Sequence, residues 1–302
     1  MKSPTATLID LVGAVAERLP RSVSLATGRR LGDLMSHVVR SRRHQVLSNL
    51  EFAFGDSMSD RQRHQVMRQV FRIFGQTLVE TLLLPSMVRQ GLERYIRIDG
   101  WENLAEAMKM GRGAIGFTGH FGNWELMGLV QGLRGIPMDV VGRPPKDQHL
   151  ARRLESIRTL TGNRTISKYN ALRPMLRSLK EGRSVGLVID QNVGGGHGIF
   201  VNFFGRPAST TPALAVLALK TGAPVLPVFS YPDQDGNHRI VYGSVIEVQR
   251  TGNTRADIEA VTARVTAVIE ERIRERPDLW LWMHNRWRSR PPGELPAPQE
   301  AQ

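Results

Sequence analysis

The chain has no cysteine in its 302 residues. That excludes disulfides, a thiol nucleophile and any Cys-pair metal site. It has no H-E-x-x-H pair either, so no metal is expected. No run of 18 or more apolar residues occurs, which removes a clear transmembrane helix. Acidic residues are scarce: 28 Asp and Glu stand against 41 Lys and Arg, a formal net charge of +13. That imbalance favours an acidic partner, whether nucleic acid, an anionic membrane surface or an acidic carrier protein. Tyrosines number only four. With neither zinc-finger spacing nor an aromatic RNA-binding signature, nothing supports nucleic acid. The Gly-rich stretch 193–198 lacks the Gly-Lys-Ser/Thr ending of a phosphate-binding loop, which argues against a nucleotide site.

What is present suffices for a sizeable core, since 41% of residues are hydrophobic. Residues 1–95 read as a helical region. Leu8, Leu11, Val12, Val15 and Leu19 share one helical face, with Arg18, Arg21, Arg29 and Arg30 close behind. Both a helix lying on anionic lipid and an ordinary amphipathic core helix fit that pattern. Asp10 interrupts the apolar run before Ala14-Val15-Ala16, so a signal peptide is not expected. Val66, Val70, Phe71, Phe74, Leu78 and Leu82 predict a second helix from Asp60, ended by Pro85.

From Trp101 one unit recurs: a helix, a basic Gly-containing turn and an apolar strand. The strands are 114–118, 185–189 and 225–229, with a fourth over 138–141. Alternating helices and strands predict an α/β fold with a mostly parallel central sheet flanked by helices. Residues 239–248 read as a hairpin-like strand. Ile258, Val261, Val265, Val268, Ile269 and Ile273 form the core stripe of a late helix. The stretch Trp280 to Trp287 suits a membrane interface, a wall of the site or a packed strap. The Pro-rich tail, 291–302, is expected to be disordered.

His120 and Glu125 stand five positions apart, where the strand 114–118 turns into a helix over 124–133. Imidazole titrates near neutral pH, and a carboxylate can fix its tautomer, so the pair suits general-base chemistry. Spacing alone fits a solvated turn equally well. The α/β frame adds weight, because ligands bind beyond the carboxyl ends of such strands. The residues there are His120, Arg143, Asp190, Gln191 and Asn192.

Several motifs occur in order: Asn49-Leu50-Glu51-Phe52-Ala53-Phe54, Gly119-His120-Phe121-Gly122-Asn123-Trp124-Glu125, Gly142-Arg143-Pro144, Asp190-Gln191-Asn192, and Phe203-Phe204-Gly205-Arg206-Pro207-Ala208 running to Pro212. With the closing Trp280 to Arg290 stretch, they make the chain resemble the bacterial lipid A biosynthesis acyltransferases. These are the lauroyl and myristoyl transferases, which share a His-x4-acid motif with glycerolipid acyltransferases. The resemblance implies acyl transfer from an acyl-carrier-protein thioester to a hydroxyl of a lipid A precursor, without a cofactor. It implies His120 as general base, oriented by Glu125. Arg143 and Arg206 become candidates for substrate phosphates. Asn123 becomes an oxyanion donor or a helix cap, and Asp190 and Gln191 hold Arg143 or the site loops. A peripheral or monotopic place on the cytoplasmic face of the inner membrane follows, with 1–95 as the membrane-associating region and 96–290 as the catalytic domain. Another membrane glycolipid or a lysophospholipid as acceptor, and a coenzyme A donor, stay open. A basic membrane-binding protein without activity is the non-enzymatic alternative.

Overall fold

The computed structural model describes residues 4–291 and 293. The tail read as disordered therefore lies almost wholly outside the described residues. Four helices come first: α1 (Pro4–Arg18), α2 (Arg21–Val38), α3 (Arg40–Phe54) and α4 (Asp60–Arg89). Ser59 and Gln62 start α4 with a reciprocal capping box. The helix runs through Pro85 rather than ending there. Leu83, Leu84 and Met87 around it are buried, and that burial offsets the hydrogen bond a proline forfeits. α2 lies on α4 with the backbones in contact. A Cβ on Gly32 would stand 2.1 Å from the Phe71 carbonyl oxygen.

The main sheet holds seven strands: β1 (Ile96–Asp99), β2 (Ala114–Thr118), β3 (Met138–Gly142), β4 (Arg164–Ser167), β5 (Ser184–Val188), β8 (Val225–Pro232) and β9 (His238–Tyr242). Their order is β1-β9-β8-β2-β5-β3-β4. Every neighbouring pair is parallel except β8–β9. β6 (Ile199–Phe203) and β7 (Arg206–Thr210) form a separate antiparallel hairpin. The helices between strands are α5 (Trp101–Lys109), α6 (Trp124–Leu133), α7 (Gln148–Arg158), α8 (Leu172–Lys180) and α9 (Ala213–Thr221); α10 (Thr254–Glu275) follows the last strand. This is the α/β architecture with N-terminal helices that the hydrophobic pattern predicts.

Strand alternation divides the core into two layers. Ala114, Leu226 and Val228 meet Leu126, Leu129 and Val130 of α6 on one face. Ile115, Phe117, Val185 and Leu187 belong to the other layer, with Leu214 and Leu217 of α9 and Val265 and Ile269 of α10. Trp280, Trp282 and Trp287 are buried in that second layer, so the C-terminal stretch is a packed strap. The strand expected over 239–248 is shorter. β9 ends at Tyr242, and beyond it Gly243 N–H donates to Pro227 O at 2.9 Å and Ile246 N–H to Val225 O at 2.7 Å. The hairpin and the strands β1 and β4 are only four or five residues long, too short to stand out in the sequence.

Candidate active site

β2 and β5 are adjacent and in parallel register, with Thr118 opposite Val188. Two residues beyond each, His120 and Asp190 therefore face one another. His120 Nδ1 lies 2.7 Å from Asp190 Oδ1, and the His120 backbone N–H donates to Oδ2 at 2.7 Å. The Trp280 indole N–H donates to the same oxygen at 2.6 Å. A carboxylate only accepts, so Nδ1 carries the ring proton and Nε2 of the neutral ring keeps its lone pair. Burial alone would raise the Asp190 pKa. The His120 charge, the ring and backbone bonds from His120 and the bond from Trp280 outweigh it and hold the carboxyl at about 2.

The turn bearing His120 is tightly enclosed. Gly122 has φ +58°, and a Cβ there would lie 2.0 Å from the Ser230 carbonyl oxygen. The strap closes the other side: Gly122 N–H donates to Leu279 O at 2.9 Å, and Leu281 N–H to His120 O at 3.0 Å. His120 stays half-buried, its ring edge-on to Trp124 with centroids 5.0 Å apart. Gln191 Nε2 sits 3.3 Å from His120 Nε2.

Two cavities meet at Trp124. The first, of about 80 Å³, is mainly apolar, lined by Met127, Met138, Val140 and Val228 between the sheet and α6. Glu125 and Arg158 supply its charged wall. The second is a shallow recess between α4 and the strap, lined by His120, Trp124, Phe74, Thr77 and Trp280.

The sequence profile of the bacterial lipid A biosynthesis acyltransferases matches residues 5–289. The chain belongs to that family. It is 28% identical over 279 residues to the lipid A biosynthesis palmitoleoyltransferase of Escherichia coli K12, covering 92% of this chain and 89% of that protein. It is 26% identical over 277 residues to the lipid A biosynthesis lauroyltransferase of the same organism, covering 91% and 89%. The phosphatidylinositol mannoside acyltransferase of Mycolicibacterium smegmatis is 26% identical over 212 residues, covering 69% and 67%.

In this acyltransferase the structure brings together His120, Asp190 and Gln191, and separates the other residues expected at the site. Glu125 does not orient His120. On the first turn of α6 its carboxylate turns to α7, where Arg158 binds it with both Nε (2.7 Å) and Nη2 (2.5 Å). Of the two roles expected of Asp190 it takes the site loops rather than Arg143, tying the His120 turn to the Trp280 strap. Arg143 is exposed beyond β3. Arg206 is exposed on the hairpin, its guanidinium stacked 3.7 Å over the Phe52 ring. Asn123 is fully buried and serves as a helix cap: its Oδ1 accepts from Leu126 N–H at 3.2 Å, and its Nδ2 donates to Glu80 at 2.8 Å. It is not an oxyanion donor.

Sequence reasoning gave Trp280 no specific bond and passed over Arg158, Glu80 and His238. Arg158 ends a helix without a motif, and Glu80 and His238 are 158 positions apart. The one available signal was strand adjacency, which pairs the residues two beyond 118 and 188.

Proposed function

We propose that this acyltransferase moves a fatty acyl chain from an acyl-carrier-protein thioester to a hydroxyl of a lipid A precursor. The names of its relatives support the acceptor class. The observation that carries the chemistry is the His120 Nδ1–H bond to buried Asp190, which leaves Nε2 as the proton acceptor. The acceptor hydroxyl oxygen attacks the thioester carbonyl carbon as its proton passes to Nε2. The tetrahedral intermediate collapses, the C–S bond breaks, and the proton leaves with the thiolate. An ester and a free carrier thiol result. The substrate supplies the nucleophile, so no enzyme thiol and no cofactor is required. Asp190 stabilises the imidazolium formed in the first step. Backbone N–H groups at the start of α6 face the developing oxyanion. The apolar cavity takes the acyl chain, with Trp124 as the wall it shares with the His120 recess.

The enzyme works at the cytoplasmic face of the inner membrane as a peripheral protein. Among the described residues no helix is long and apolar enough to cross a membrane. Leu11, Val15 and Leu19 of α1 and its exit, and Val23, Leu31, Leu34 and Val38 of α2, are exposed aliphatic side chains. Arg18, Arg30 and Arg40 are exposed beside them. Aliphatic groups flanked by cations suit an anionic lipid surface. The other side of α2 packs on α4, which roofs the His120 recess.

The test is incubation of the purified enzyme with acyl-carrier protein and a Kdo-bearing tetra-acylated lipid A precursor, read by mass spectrometry. A gain of one acyl chain is expected. Transfer only from coenzyme A, or only to a mannoside glycolipid or lysophospholipid, would overturn the donor or the acceptor.

A further inference from the structure

Glu80 is a buried carboxylate on α4 for which the reaction above has no use. Its side chain is 1% exposed, yet it gathers donors from three directions. Asn123 Nδ2 donates to it at 2.8 Å, His238 Nε2 at 2.9 Å and Arg21 Nη2 at 2.9 Å. Burial would raise its pKa, but His238, Asn123 and Arg21 together hold it below the usual carboxylate range. His238 Nδ1 meets the Ser230 hydroxyl at 3.0 Å. Ser230 is also the residue whose carbonyl touches Gly122. Two routes thus run from Glu80 to the turn 119–123. One passes through the Asn123 amide, which also caps α6. The other passes through His238 and Ser230, against which Gly122 is pressed. Arg21 extends the cluster to α2, and it also donates to the Gly236 carbonyl beyond β8.

We propose that Glu80 is a positioning residue for His120, anchoring the turn 119–123 so that the imidazole meets Asp190 and the acceptor hydroxyl in register. A buried carboxylate suits the task because each of its bonds is costly to break and none is screened by water. The proposal rests on His120 as the base, and a signal that does not depend on turnover keeps the two apart.

The experiment compares Glu80→Gln and Asn123→Ser with wild type. Ser still caps the helix but cannot donate to Glu80 as the amide does. Each variant is checked for folding by circular dichroism. The His120 Nδ1–H proton resonance, assigned by its loss in Asp190→Asn, reports the bond to Asp190 directly. Both variants should shift or broaden that resonance. Both should lower kcat about 10- to 100-fold at a donor KM within twofold of wild type. The double variant should lose little more than Glu80→Gln alone, because the Asn123 route already starts at Glu80. An unmoved resonance with unchanged kcat in folded Asn123→Ser overturns the proposal, and that variant decides the matter if Glu80→Gln does not fold. Should His120→Ala prove active, the base assignment fails while the resonance still tests the anchoring.

Discussion

Replacing Asp190 with Asn removes one charge from the site and little volume. Asp190 Oδ2 accepts two N–H groups, from the His120 backbone and the Trp280 indole, and Oδ1 faces His120 Nδ1. An asparagine keeps its single oxygen where two donors converge, so its NH2 turns toward Nδ1. Nδ1 then becomes an acceptor and the neutral ring carries its proton on Nε2. That tautomer cannot take a proton from the acceptor hydroxyl. A wrong-tautomer variant of this kind in a histidine–aspartate pair costs about 10⁴-fold. We therefore expect kcat to fall about 10³- to 10⁴-fold, near 4–5.5 kcal/mol of transition-state stabilisation. Stability changes too. Folding lowers the Asp190 pKa from 3.8 to about 2, a contribution of about 2 kcal/mol near pH 5. It is fully present above the unfolded value near 4 and is lost as pH falls through about 2. Wild type should therefore lose more stability than Asp190→Asn between pH 5 and pH 2. The assay is acyl transfer under saturating donor, with denaturant melts at each pH. A folded Asp190→Asn within threefold of wild-type kcat would refute the tautomer argument.

Other perturbations separate the remaining parts of the account. Glu125→Gln unpairs Arg158 at the cavity wall, so a stability loss of about 1–3 kcal/mol in denaturant melts is expected, with a smaller fall in kcat than for Asp190→Asn. The reverse order would restore Glu125 as the partner of His120. Gly128 faces the apolar cavity, and an added Cβ would meet no atom closer than 3.5 Å. Gly128→Ala should fold at least as well and disfavour the longest accepted acyl chain about tenfold, read by competition between donors. Met138→Ala should shift the preference the other way. Leu34→Glu with Val38→Glu should abolish flotation with anionic liposomes and leave turnover of a detergent-dispersed acceptor within about twofold.

How far the sequence carried the reading follows from where each signal lives. Strands β2, β3, β5 and β8 and helix α6 are largely apolar and bounded by Gly-containing turns, so local pattern defines them. β1 and β4 are four-residue edge strands with part-exposed residues, too short for a local pattern to stand out. His120 was legible because it ends a buried strand. Its partner was not, since five-residue spacing drew attention to Glu125. The true neighbour lies 70 positions away and is set by which strand pairs with β2. The Trp280 strap and the Glu80 cluster depend on tertiary packing alone. Only once the sheet order is known do Asp190, Trp280 and Glu80 become neighbours of one turn.

The most direct test of the central claim is single-turnover transfer by wild type and His120→Ala, both confirmed as folded, with acyl-carrier protein and the lipid A precursor. The account predicts one added acyl chain with wild type, no acylated enzyme at any time, and no transfer by the variant. Transfer surviving in His120→Ala, or an acyl-enzyme formed before the acceptor is added, would contradict it.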